Sequence, residues 1–199
     1  DLEAAKSAVT ALARLYANRA DTEWARDRLK QHQKEVVDAG PLLDIAERDV
    51  MEPLDQAALK EVEAAARQVA TITALVPLAF ADVIAALTSN IRMIRRIAEV
   101  YGGRSGTFGS WRLTRTVMLH LVATGAVAIT DDLITSIAGG GVLSKISRRF
   151  GEGLVNGALT TRVGIAAMEE CRPLPIVALT KPSVSMTVKR ALTGLFDRE

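Results

Sequence analysis

Apolar residues recur along this chain with a helical period, most regularly between Pro77 and Gly103. At about 100° per residue, Ile84, Leu87, Ile91, Ile94, Ala98 and Tyr101 share one helix face. Val83, Met93, Ile97 and Val100 widen that face, and Arg92, Arg95, Arg96 and Glu99 fall into the remaining arc. The spacing predicts a nearly enclosed helix with a single basic stripe.

The same reading predicts helices on both sides of this stretch. Leu2 to Ala17 carries Leu2, Ala5, Val9, Leu12, Leu15 and Tyr16 at helical spacing. Asp21 and Thr22 offer a cap for a charged helix, Glu23 to Asp38, with a thin apolar seam of Trp24, Leu29 and Val36. Gly40 breaks the chain, and a third helix is expected from Pro41 to near Met51, with a fourth from Pro53 to about Val76. From Val69 to Ile91 only Asp82 is charged, long enough for a bilayer span; Pro77 and the scattered Thr, Ser and Asn favour two packed helices broken at the proline. Beyond the glycines at 102, 103 and 106, a helix is expected from Thr107 to about Ile137, ended by Gly139, Gly140 and Gly141. A last long helix, about Val142 to Glu169, stops at Arg172 to Pro175, and Ser183 to Phe196 has the composition of a short final helix.

That last long helix holds a second spacing signal: Gly153, Gly157, Thr160, Gly164 and Ala167 lie on one stripe. Glycine inside an exposed helix costs roughly 1 kcal/mol, so the stripe is expected to face another backbone. The nearest small-residue candidate in sequence is the face of Ala123, Gly125, Ala126 and Ala128 in the preceding helix. The fold class that follows is all-α: a core of closely packed small-residue helices over 53–182, an N-terminal helical extension over 1–52 and a tail over 183–199.

Composition agrees with this and adds a charge split. Apolar residues make up 49% and aromatics 4%, so Ala, Leu, Ile and Val must carry the burial. Residues 1–68 hold 14 acids and 10 bases, net −4, and residues 69–199 hold 9 acids and 15 bases, net +6. The apolar part is also the basic part. That pairing suits an acidic protein or an anionic lipid surface; nucleic acid would call for denser Lys and Arg with exposed stacking aromatics. The single cysteine, Cys171, has no internal disulfide partner. The start at Asp1, without Met or a signal-like segment, reads as a piece of a longer chain.

Catalytic and cofactor chemistry is hard to assemble from these residues. Gly139 to Gly141 with Lys145 lacks the spacing and the preceding strand of a phosphate loop. His32 sits on the charged helix, and His120 lies in an apolar run with no acid within helical reach. Cys171 has no sequence-near base, and Asp131 and Asp132 project about 100° apart on a helix. No enzymatic activity, cofactor or metal is therefore expected. The basic residues are more informative: Arg92, Arg95, Arg96, Arg104, Arg112 and Arg115 fall within 24 residues that contain one acid, Glu99. They read either as a solvated edge, with Glu99 pairing Arg95 or Arg96, or as a docking edge for an acidic protein or anionic headgroups.

Two stretches together resemble a known family. ADVIAALTSNIRMIRRIAEVYGG and GEGLVNGALTTRVGIAAMEECRPLP are similar to the YcjF-like bacterial inner-membrane proteins of unassigned function, and HQKEVVDAGPLLDIAERDVMEPLD resembles that family's N-terminal portion. The similarity covers roughly residues 24–182, with Cys171 to Pro175 its most specific element. The resemblance implies a pair of transmembrane helices upstream of Asp1, this domain on the cytoplasmic side of the inner membrane, and a P-loop GTPase-like partner, the YcjX-like proteins linked to envelope stress. It brings no catalytic residues.

The expected function is a membrane-anchored interaction module that docks such a partner through Arg92, Arg95, Arg96, Arg112 and Arg115, with Gly153, Gly157 and Gly164 as packing residues and self-association open. The alternative is a domain that itself engages anionic bilayers through its apolar and basic helices.

Overall fold

The computed structural model describes residues 1–75, 79–102, 115–117, 119 and 146–193. The fold is all-α: the described residues form seven α-helices and contain no strand. They are α1 (Leu2–Leu15), α2 (Glu23–Glu35), α3 (Ala39–Ala46), α4 (Glu52–Leu75), α5 (Ala79–Val100), α6 (Ile146–Cys171) and α7 (Val184–Thr193).

Helix α1 forms where the apolar spacing predicts it. The Asp1 carboxylate accepts from the Glu3 N–H as N-cap, and Ala5, Val9, Leu12 and, just past the helix, Tyr16 are buried on one side. Removing each Val or Leu side chain from water contributes about 1.5–3 kcal/mol. A 3-10 turn, Ala20–Thr22, precedes α2, and Thr22 does not cap it; its hydroxyl donates backwards to the Tyr16 and Arg19 carbonyls.

The third and fourth helices depart from the sequence reading. Helix α3 begins at Ala39, so Pro41 lies inside the first turn, where its missing N–H is still an unpaired position. At its far end a π-helical turn, Glu47–Met51, leads straight into α4. The Glu52 N–H reaches the Glu47 carbonyl across this wide turn, and the chain passes Pro53 without the break expected before it.

Helix α4 is the spine. Its longest contact is with α6, and α5 and α7 also lie against it. The α6 glycine stripe meets α4: a Cβ on Gly153 would stand 2.6 Å from the Ala70 carbonyl oxygen, and one on Gly157 would stand 3.2 Å from the Ala66 carbonyl oxygen. One on Gly164 would stand 2.6 Å from a Val62 methyl. Opposite them Ala58, Val62, Ala66 and Ala70 are buried at every fourth position. The Ala/Gly-rich face that sequence spacing nominates as their partner lies outside the described residues. Asn156 donates to the Thr73 hydroxyl at 3.2 Å along the same seam.

Helix α5 ends at Gly102, whose φ of +85° favours glycine and whose N–H caps the Glu99 carbonyl. The enclosure expected of α5 holds for its second half only. Met93, Ile94, Ile97, Ala98 and Tyr101 are buried, but Ile84 and Leu87 are about half exposed, as is Leu75 at the end of α4 still more. The run from Val69 to Ile91 is thus divided between two helices, and no described helix is long and apolar enough to cross a membrane.

Helix α7 covers α4 and α6. Arg67 donates to the Ala191 carbonyl at 2.9 Å, and Arg190 pairs Glu63 at 3.0 Å. One buried apolar cluster extends from Ala5 to Met168 and runs without interruption across residue 52.

Candidate functional site: an arginine edge with a buried clasp behind it

The exposed side of α5 carries the basic stripe. Arg92, Arg95 and Arg96 are exposed, with Met93, Ile94 and Ile97 buried on the opposite side. Helix packing therefore fixes where the guanidinium groups emerge. Arg95 pairs Glu99 one turn along at 3.1 Å, the (i, i+4) contact anticipated for a solvated edge. Arg96 crosses to Glu61 of α4 at 3.0 Å. Arg115, on the short described stretch 115–117, is exposed, and Arg112 lies outside the described residues.

Behind the edge lies a polar cluster that the sequence reading did not assemble. Arg172, just past α6, has a side chain only 2% exposed and reaches two carboxylates. Its Nη2 donates to Glu47 at 3.1 Å and to Asp55 at 3.0 Å, its Nε donates to Asp55 at 3.0 Å, and its Nη1 donates to the Leu174 carbonyl. Glu47 in turn accepts from the Ala178 N–H at 2.8 Å and the Val177 N–H at 3.1 Å. Tyr101 donates to Asp55 at 2.6 Å, and Tyr16 donates to the Tyr101 carbonyl at 3.1 Å. Five parts of the chain meet here: the end of α1, the π turn, α4, the end of α5 and the segment after α6.

Every carboxylate lone pair used in the cluster meets a strong donor, which is what makes buried charge tolerable. Burial works against ionised Glu47, yet the Ala178 and Val177 N–H groups together with Arg172 outweigh it and hold the carboxyl below its ordinary range. Burial pushes the Tyr16 phenol up to about 12, and burial with Asp55 raises Tyr101 further, so both remain neutral donors. Neither the wide turn that aims Glu47 inward nor the contact between Asp55 and Arg172, 117 residues apart, has a periodic signature. A usable hint is that Tyr101 and Arg172 close the two most family-like stretches; sequence spacing reads Arg172 only as a helix stop.

The other candidates for chemistry remain apart. His32 is 3.8 Å from Glu35 on α2. Burial, with Glu170 adding to it, pushes the Cys171 thiol up to about 11, which disfavours the reactive thiolate. Among the described residues no three His, Cys, Asp or Glu side chains are grouped to hold a metal ion. His120, Asp131, Asp132, Gly139 to Gly141 and Lys145 lie outside the described residues.

A family described as a domain of unknown function, DUF697, matches residues 37–197. A UPF0283 membrane protein of Sinorhizobium medicae is 44% identical over 182 residues, covering 92% of this chain and 50% of that protein. The UPF0283 membrane proteins R01807 of Rhizobium meliloti and Atu1356 of Agrobacterium fabrum are 43% and 41% identical, over 92% and 90% of this chain and 51% and 50% of theirs. The chain spans about half the length of these curated relatives. No solved structure matches.

Proposed function

The chain belongs to the DUF697 family, and from that premise we propose that it is the helical interaction domain of a membrane-associated protein, non-enzymatic, whose arginine edge on α5 grips an acidic protein surface. The observation that carries this reading is the fixed presentation of Arg92, Arg95 and Arg96 on a helix whose other face is locked into the core. A rigid edge has little ordering entropy to lose on binding. Among the described residues Arg95 and Arg96 are held by exposed ion pairs, worth about 0–1 kcal/mol each, which a partner's carboxylates can replace at little cost. Membrane association is supported by the relatives, which are named membrane proteins.

The first partner to test is the P-loop GTPase-like, YcjX-like protein that the family resemblance implies. Full-length protein is purified from membranes with that partner co-expressed, and the Arg92→Glu/Arg96→Glu variant is compared with the unaltered protein. The partner is expected to be lost with helical content unchanged; equal recovery removes the edge from consideration.

A second reading rests on Leu75, Ile84 and Leu87, exposed apolar residues at the end of the bundle where α4 and α5 adjoin. With the arginines one to two turns further along α5, this end suits the interface of an anionic bilayer. Flotation with phosphatidylglycerol vesicles distinguishes the two readings: binding that survives high salt and is lost in Leu87→Asp favours lipid over protein.

A further inference from the structure

Helices α4 and α5 run antiparallel in a register marked by successive polar rungs. Tyr101 meets Asp55 at the clasp, Arg96 meets Glu61 further along, and Gln68, Ser89 and Arg92 come together beyond that. The third rung is the one left open. Between it and the Arg96–Glu61 pair lies a notch of about 30 Å³, floored by Ala65 and Met93. Ser89 lines it too and is only 4% exposed, an unusual place for a hydroxyl.

We propose that this notch receives one carboxylate side chain, Asp or Glu, from the acidic partner. The inference rests on the docking reading above and names the chemical group that the edge selects. Arg96 is already paired with Glu61, which also lines the notch, and Arg92 is the lining guanidinium with no such pair among the described residues. The Gln68 amide and the Ser89 hydroxyl line the same notch and can donate to a carboxylate held beside Arg92. That single guanidinium without a pair among the described residues matches a single negative charge, where a phosphate brings about −1.5 to −2. The small side chains at Ala64 and Ala65 keep the α4 wall low enough for a protein side chain to enter. The clasp ties the end of the same helix pair together through Tyr101 and Asp55.

The test is an NMR titration of the isotope-labelled 199-residue chain with an acetylated hexaglutamate peptide, with hexaglutamine and inorganic phosphate as comparisons. Hexaglutamate is expected to shift the Ser89 amide, the Gln68 side-chain amide and the Arg92 signals most. Hexaglutamine and phosphate should leave them in place. Gln68→Leu and Ser89→Ala should each weaken binding at least about 10-fold, the loss of one charge-assisted hydrogen bond, and Arg92→Glu should abolish it. Gln68 is exposed, so that variant reports on the notch even if Ser89→Ala disturbs folding.

Unchanged affinity in both variants, with Arg92→Glu still abolishing binding, overturns the notch and leaves the docking edge standing. Equal response to phosphate overturns the carboxylate assignment. Signals that stay unmoved at millimolar hexaglutamate overturn the notch, and the docking reading falls as well only if Arg92→Glu/Arg96→Glu also retains the protein partner.

Discussion

Arg172 and Arg96 each reach a carboxylate of α4 at 3.0 Å, and the equal distance conceals opposite roles. The Arg172 side chain is 2% exposed and that of Arg96 is 55% exposed. In the buried case Arg172 has given up its water and Asp55 most of it, so each depends on the other and on the surrounding donors; in the exposed case water stands ready to replace either partner. The first arrangement holds the fold together, and the second leaves a charge that another molecule can take over. Burial, more than distance, separates a structural arginine from one free to bind.

The contrast breaks most visibly at Arg172. Arg172→Leu strands Glu47 and Asp55 without their cation, and unfolding in denaturant should show a loss of about 3–5 kcal/mol. Arg172→Lys keeps the charge but not the fork of donors, and should recover only part of it. The same contrast of buried and open sites runs along α6. Gly153→Ala drives a methyl to 2.6 Å from the Ala70 carbonyl oxygen and should cost about 1–3 kcal/mol, whereas nothing lies within 4 Å of a Cβ at Gly151, and Gly151→Ala should gain about 0.4–1 kcal/mol.

Acid sharpens the comparison with the sign fixed by linkage. The folded-state pKa of Glu47 is depressed, so its contribution is present above the unfolded value of about 4.3 and is lost as pH falls through the lower folded value. Melting temperature should fall over that acidic window, and Glu47→Gln should flatten the fall. The smallest effect belongs to the edge: Arg96→Ala should change stability by no more than about 1 kcal/mol in the same denaturant series.

Periodicity made the helices legible, because burial of one face repeats with the helical turn. It located α1, α2 and α5, and it singled out the glycine stripe on α6. It did not reveal that α3 passes through a π turn into α4, since Pro53 in a sequence signals a break and only an i→i+5 turn carries the chain past it. Nor did it place the clasp, for the contacts of Glu47, Asp55 and Arg172 join points more than 100 residues apart. The arginine edge was legible as a stripe, but the exposure of Ile84 and Leu87 on the same helix was not. Their apolar spacing matches that of buried Ile94 and Ile97, and only the neighbours of each turn distinguish them.

Affinity of the full-length protein for the proposed YcjX-like partner, titrated with and without the Arg92→Glu/Arg96→Glu substitutions, decides whether the arginine edge binds. Binding should weaken as salt rises and vanish in the substituted protein, with the melting temperature unchanged. Equal affinity in the two proteins would contradict it.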